Sequence, residues 1–92
     1  MRIDELHTTK QFQKLFIRLP ARKQTKVKDA LKRAVADLDD PQLRLHELQG
    51  QDSGTFSISA GGDLRIHFEL IEQEGRSIAS LQAVGTHSQL YG

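Results

Sequence analysis

Three polar side chains alternate along one strand-like segment in the second half of the chain. Asp63, Arg65 and His67 are each separated by one residue, so in a β-strand they would project from the same face. This spacing places a carboxylate, a guanidinium and an imidazole within reach of a single bound group. Such a row could cleave RNA, or it could be the solvated face of an ordinary sheet. Taken alone, the pattern favours the solvated face.

Two further histidines, His46 and His87, are the other candidates for acid and base chemistry, because imidazole titrates near neutral pH. They are 41 positions apart, and spacing alone cannot join them. The chain has no cysteine, no His-Glu-x-x-His motif and no Walker-type glycine loop, and the spacing of its four histidines does not support a metal site. The sequence therefore favours a hydrolytic or transesterifying site without metal or cofactor.

The N-terminal region carries the pattern of two helices. Apolar residues recur at helical spacing over 8–19, and Thr8 or Thr9 is available as the N-cap. Pro20 interrupts this pattern, and a second apolar stripe at helical spacing runs over 27–38. We expect two antiparallel helices that are joined at Pro20.

The second helix should end near Asp39 or Asp40, since Pro41 disfavours helical geometry in the residue before it. From Leu43 onward, alternating segments separated by glycine-containing turns predict antiparallel strands. The strands are placed at about 54–60, 63–71 and 76–84, with a shorter extended segment at 43–48, a candidate edge strand at the N-terminus, and turns at Gly50 to Gly54, Gly61-Gly62 and Glu74-Gly75.

These patterns predict a single α+β domain over residues 1–92, in which two antiparallel N-terminal helices pack on one face of a small antiparallel β-sheet. In the segment 63–71, Leu64, Ile66, Phe68 and Leu70 should face the helices. The opposite face, which carries the row of polar residues, should be wet.

Composition and charge limit the classes of protein. Apolar residues make up 37% of the chain and charged residues 27%, as in soluble globular proteins. The lack of cysteine, of a long apolar run and of an apolar signal-peptide core predicts a cytoplasmic protein with no membrane partner. Residues 1–34 carry ten Lys/Arg and three Asp/Glu, or +7, whereas residues 35–92 carry three and nine, or −6. A basic half of this kind could hold a polyanion or an acidic protein, or could simply solvate two helices.

Several short motifs occur in order along the chain. They are Phe16 to Pro20, Asp40-Pro41, Leu-His-Glu-Leu-Gln-Gly at 45–50, Phe-Ser-Ile at 56–58, Gly-Asp-Leu-Arg-Ile-His-Phe at 62–68, and Val-Gly-Thr-His-Ser-Gln-Leu-Tyr-Gly at 84–92. Over essentially the whole chain, this order resembles the RelE/ParE toxin superfamily and, within it, the YafQ-type messenger RNA interferases. The closing Gly-Thr-His-x-x-Leu-aromatic-Gly motif is the most specific element.

The resemblance implies an enzyme that enters the ribosomal decoding site and cuts messenger RNA there, with the 2′-hydroxyl of the RNA as nucleophile and no metal. A base would take the 2′-hydroxyl proton, an acid would protonate the leaving 5′-oxygen, and a cation would stabilise the phosphorane. By resemblance, His46, Asp63 and His87 match acid and base positions, and Tyr91 matches an aromatic beside the scissile nucleotide. Arg65 is our choice for the phosphate contact.

The resemblance also implies an inhibitory partner, a cognate antitoxin similar to RelB or DinJ, and a toxin–antitoxin complex that binds operator DNA. Two positions depart from the family pattern. Many relatives carry arginine in the strand that begins at Phe56, where this chain has Ser57 and Ser59, and YafQ has a further catalytic histidine near Ser59. His67, on the same face, could substitute for the missing group.

Three alternative functions therefore remain: a ribosome-dependent endoribonuclease, a ParE-like toxin that binds DNA gyrase, and a catalytically weakened homologue that acts mainly by binding an antitoxin. One fold can host unrelated functions. The set His46, Asp63 and His87 favours the nuclease, since a gyrase binder has no need of it. The two serines keep the third alternative open.

Overall fold

A five-stranded sheet is the centre of the fold. The structure, a computed structural model, describes residues 1–49 and 54–91. Along the chain lie β1 (Glu5–Thr8), α1 (Lys10–Ile17), α2 (Ala21–Ala36), a 3₁₀ helix (Pro41–Leu43), β2 (His46–Glu47), β3 (Thr55–Ser59), β4 (Leu64–Gln73), β5 (Arg76–Thr86) and α3 (His87–Tyr91). The predicted turn from Gly50 to Gly54 falls, apart from Gly54, outside the described residues, as does Gly92 of the closing motif.

The first helix begins as predicted, because Thr9 caps it. Thr9 Oγ1 accepts from the backbone N–H of Phe12 at 3.1 Å, which satisfies one of the donors that a helix start leaves unpaired. The same hydroxyl donates to the carbonyl oxygen of Leu81 at 2.9 Å. One threonine thus starts α1 and fastens that start to β5.

The second helix follows Pro20 directly, but it ends at Ala36, so the predicted end near Asp39 or Asp40 was late. The reason is local competition by an aspartate. Asp37 leaves the helix with an extended backbone, φ −161°, and its carboxylate accepts from the backbone N–H of Asp39 at 3.1 Å. Such side-chain to backbone bonds offer the chain an alternative to helix continuation.

The sheet has the order β1-β5-β4-β3-β2. Strands β3, β4 and β5 form the predicted antiparallel meander, and the predicted N-terminal edge strand is present as β1. β1, however, runs parallel to β5, from the pair Glu5 and Ile78 onward, so the sheet is mostly rather than wholly antiparallel. The extended segment predicted at 43–48 is a strand only at His46–Glu47, because the 3₁₀ helix occupies its start and Arg44 takes a left-handed φ of 50°.

The core lies between the helices and one face of the sheet. Phe12 of α1 and Val27 of α2 are buried in one cluster with Ile66 and Phe68 of β4 and Val84 of β5. The predicted inward row of β4 is confirmed: Leu64, Ile66 and Phe68 are core residues and Leu70 packs against them. Among the described residues, no helix has the length and apolar character needed to cross a membrane.

The centre of the opposite face of the sheet is not exposed to solvent, contrary to the prediction. Ser57 is fully buried, and Ser59 and His67 are each 9% exposed. Asp63 was also expected on this strand face, but it lies in the turn before β4 and is exposed.

Candidate active site

The closing motif folds into the short helix α3, which the sequence patterns did not predict. Thr86 caps it: Thr86 Oγ1 accepts from the backbone N–H of Gln89 at 3.2 Å, and Gln89 Oε1 accepts from the backbone N–H of Thr86 at 2.8 Å. This reciprocal pair is a capping box, and its signature, Thr-x-x-Gln, stands in the sequence at 86–89. The box makes His87 the first residue of the helix.

Tyr91 lies between two histidines. His87 and Tyr91 are four residues apart on one face of α3, and their ring centroids are 4.4 Å apart with an interplanar angle of 37°. Tyr91 Oη and His67 Nε2 share a hydrogen bond of 2.9 Å, and these two rings are 5.2 Å apart. Tyr91 is 44% exposed. Tyr91 therefore covers part of the sheet face at His67 while keeping one side of its ring open to solvent.

Asp63 joins this group through the backbone. Its carbonyl oxygen accepts from the N–H of His87 at 2.9 Å, where the turn before β4 meets the start of α3. The neighbouring residues, Leu64 and Thr86, are register partners on β4 and β5. This bond holds the backbone of Asp63, whose side chain is exposed, next to the backbone of His87.

Hydrogen bonds fix the Arg65 guanidinium next to Ser59, one of the two serines at which this chain departs from the pattern that it resembles. Its Nη1 donates to Ser59 Oγ at 3.3 Å and to the carbonyl oxygens of Gly62 at 2.8 Å and Leu64 at 3.1 Å. Arg65 and Ser59 are direct register partners on β4 and β3. A guanidinium from the adjacent strand thus takes up the space beside Ser59.

His46 lies at the far end of a row that crosses three strands. His46 is the register partner of Ser57, and Ser57 is the register partner of His67. The two histidines therefore lie on the same sheet face with their backbones roughly 10 Å apart, which is two strand spacings. His46 Nδ1 lies 3.0 Å from the carbonyl oxygen of Arg44, and because a carbonyl can only accept, Nδ1 carries the hydrogen. In the neutral ring, Nε2 is then the proton acceptor.

A groove with a volume of about 760 Å³ lies beside these residues. Its walls include Arg18 at the C-terminal end of α1, His67 and Glu69 of β4, and Tyr91 and Leu90 of α3. Of the six predicted site residues, His67 and Tyr91 line it. Apolar side chains, a cation, an imidazole and an exposed aromatic ring line the groove, a combination that is suited to hold an unstacked nucleotide.

The structure thus brings together Asp63, His67, His87 and Tyr91 by direct contacts. Arg65 lies in the same strand, two residues before His67, and His46 lies two strands away on the same face. Sequence reasoning missed Thr86 and Gln89, which build the helix that carries His87 and Tyr91.

Comparison of the sequence with protein-family models and with curated proteins gives no match. Solved structures do match. YafQ from E. coli superposes with a TM-score of 0.71 at 20% identity over 100% of both chains. The YoeB/ParE toxin from Agrobacterium tumefaciens gives 0.73 at 16% identity, over 90% of this chain and 98% of that one. The toxin–antitoxin complex RelBE2 from Mycobacterium tuberculosis gives 0.66 at 21% identity, over 90% and 96%. This chain therefore has the fold shared by the RelE/ParE-like toxins, including YafQ.

Proposed function

We propose that this protein is the toxin of a toxin–antitoxin system and that it cleaves messenger RNA on the ribosome. The observation that carries the proposal is the contact of His87 with Tyr91, which is hydrogen-bonded in turn to His67, beside a groove of nucleotide size. A protein that only binds a partner has no need of an acid–base residue packed against an exposed aromatic ring. The fold shared with three toxins supports the same class of function.

The proposed reaction is a transesterification. The 2′-oxygen of the RNA forms a bond to phosphorus as its proton passes to a base, and the bond from phosphorus to the 5′-oxygen breaks as an acid donates a proton to that oxygen. The products are a 2′,3′-cyclic phosphate and a 5′-hydroxyl. We assign the acid to His87, and the base to His46, whose Nε2 is the proton acceptor in the neutral ring. Asp63, held next to His87, is the alternative base.

Two residues would bind the RNA. Arg65, whose guanidinium is oriented by three hydrogen bonds, supplies a cation to the phosphorane without having to be ordered during the reaction. The open side of the Tyr91 ring would stack on the base next to the scissile bond, and one such stack contributes about 1–3 kcal/mol to binding.

The experiment that tests this function compares the parental protein with His87→Ala in growth arrest and in cleavage of ribosome-bound messenger RNA. His87→Ala should lose cleavage by about 10²–10⁴-fold, the usual cost of losing an acid or base, while the protein stays folded. His46→Ala and Asp63→Ala should each lower the rate as well. His7→Ala is the matched control, since it removes an exposed histidine from β1 and should cleave at the parental rate.

A folded His87→Ala protein that still cleaves at the parental rate would contradict the mechanism. Growth arrest without cleavage, together with inhibited supercoiling by gyrase, would instead establish the ParE-like alternative. Free expression without growth arrest would leave antitoxin binding as the remaining function.

We also propose where the antitoxin binds. Leu6 of the edge strand β1 and Leu31 and Val35 of α2 form an apolar patch, flanked by Lys28 and Lys32, around a shallow cavity of about 460 Å³. Leu6 is 37% and Val35 46% exposed. An amphipathic segment with acidic flanks would cover this patch and neutralise both lysines. RelBE2 and the E. coli DinJ–YafQ complex are toxin–antitoxin complexes of the same fold.

A further inference from the structure

Helix α3 is too short to be stable by itself. It has five residues, and isolated helices below roughly 12–15 residues are marginal in water. Its start is held by the capping box of Thr86 and Gln89. Its end is held by the hydrogen bond from Tyr91 to His67 on β4. The position of both rings on α3 therefore depends on contacts at the two ends of the helix.

His67 is built into the sheet as a support for Tyr91. Its register partners, Ser57 on β3 and Ala83 on β5, are both small, which leaves room for an imidazole between them. The imidazole is 9% exposed, and a buried polar ring is costly unless its nitrogens are hydrogen-bonded. The phenol of Tyr91 supplies such a partner at 2.9 Å.

We propose that His67 is a positioning residue that acts through Tyr91. The hydrogen bond between His67 and Tyr91 holds the phenol in place, the Tyr91 ring packs against the His87 imidazole, and this contact keeps the imidazole in one orientation for proton transfer. His67 thereby contributes to the rate through Tyr91 and takes no part itself in proton transfer. This inference rests on the proposed function only for the role of His87, because the link between His67 and Tyr91 is testable in the free protein.

The first test measures that link directly. Tyr91 is the only tyrosine, so protein labelled with carbon-13 tyrosine has a single ring Cζ resonance, whose chemical shift reports the hydrogen bond of the phenol. His67→Leu should move this resonance, and His67→Gln, whose amide reaches about as far as Nε2, should return it toward the parental position. Thr25→Val is the matched control, because it removes a side-chain hydrogen bond to Ala21 on α2 and should leave the resonance unmoved.

The second test measures single-turnover cleavage on programmed ribosomes. Loss of one hydrogen bond of about 0.5–1.5 kcal/mol predicts that His67→Leu lowers the saturating rate about 2- to 10-fold. The ribosome concentration at half saturation should change little. Tyr91→Phe removes the same bond from the other side and should give an equal loss. The double variant should be no slower than either single one, and His67→Gln should recover most of the rate.

Three results would overturn the inference: a Cζ resonance that His67→Leu does not move, a parental cleavage rate in folded His67→Leu, or losses that add in the double variant. Additive losses would mean that His67 acts independently of Tyr91. If the parental protein does not cleave RNA at all, the proposed function fails, while the Cζ comparison still decides whether His67 positions Tyr91.

Discussion

The backbone N–H of His87 donates to the carbonyl oxygen of Asp63 across 2.9 Å. The residue proposed as the acid is thus tied to the turn that carries an alternative base, although the two are far apart in sequence. Together with the bond from Tyr91 to His67, this contact fastens α3 to β4 at two points. Changes to either end of α3 should therefore disturb the same chemistry.

Gly85→Ala should weaken the cap of α3. A Cβ at Gly85 would lie 2.8 Å from Gln89 Oε1, the atom that accepts from Thr86, so the end of the glutamine side chain must shift and its bond in the cap is disturbed. We expect a loss of about 1 kcal/mol in the free energy of unfolding, measured by urea denaturation, and a lower cleavage rate. Gln89→Ala should behave alike, whereas Gln89→Glu keeps a capping-box acceptor and should be near parental. Parental values for Gly85→Ala would refute this account of the glycine.

A basic row along α1 should bind the ribosome. Lys10, Lys14 and Arg18 are exposed at successive spacings of four residues, and Arg18 lines the groove. Reversing all three to glutamate should weaken ribosome association and flatten its dependence on salt, because fewer phosphates are neutralised. The measurement is the association constant over a series of salt concentrations.

The control for this row is an equal change in net charge elsewhere. Reversal of Arg22, Lys28 and Lys32 on α2 should leave ribosome association closer to parental. Equal losses in both triple variants would indicate a general effect of net charge. An unchanged association constant after charge reversal of Lys10, Lys14 and Arg18 would mean that these side chains are only a solvent-exposed surface of the helix.

The antitoxin should respond to the α2 lysines. Lys28→Glu combined with Lys32→Glu should lower the affinity for the proposed antitoxin, because like charges would then meet around the apolar patch. Val35→Asp should do the same by charging the patch itself. Arg22→Glu lies outside the patch and should bind at parental affinity. Titration calorimetry would decide, and equal affinities for all variants would place the antitoxin elsewhere.

Acid pH should weaken the attachment of β1 to the sheet. The backbone N–H of Ser77, hydrogen-bonded to the carboxylate of Asp4, lowers the pKa of Asp4, and hydrogen bonds from His7 and Arg76 lower the pKa of Glu5. A lowered folded-state pKa stabilises the protein above the unfolded pKa, and this stabilisation is lost as the pH falls through the folded value. The loss should therefore appear below about pH 4.

Hydrogen exchange of β1 amides against pH is the measurement for this acid effect. Protection of β1 should fall with acid earlier than protection of β4. In Asp4→Asn the neutral amide still accepts from Ser77, so the pH dependence should be smaller than in the parental protein. An identical pH dependence in both proteins would show that Asp4 contributes nothing to it.

The sequence predicted the elements that depend on local pattern. Alternation in β4 correctly separated Ile66 and Phe68 from Arg65 and His67, because strand geometry alone decides which face a residue takes. The same alternation was carried one residue too far, to Asp63, where a turn had already begun. Thr9 as N-cap was likewise predictable from residue type.

What the sequence could not predict depends on contacts between distant segments. The bond between His67 and Tyr91 joins residues 24 positions apart, and no periodicity reports it. Ser57 is buried although its face of the sheet was expected to be exposed to solvent. Burial depends on which other segments pack over a strand, and the pattern within the strand does not report this. The signature of the capping box, Thr86 and Gln89, is present in the sequence. A helix of five residues is too short to show apolar periodicity, so the pattern did not predict a helix there.

The parallel pairing of β1 with β5 affects the order in which the chain folds. Glu5 pairs with Ile78, so β1 stays unpaired until the chain has been synthesised as far as β5. Contacts of such long sequence separation form late, after local helices and hairpins. Because α3 follows β5 directly, the pairing of this sheet edge and the contacts of His87 and Tyr91 form at a similar stage. The edge of the sheet and the helix that carries His87 and Tyr91 are therefore completed together, after the local helices and hairpins of the fold.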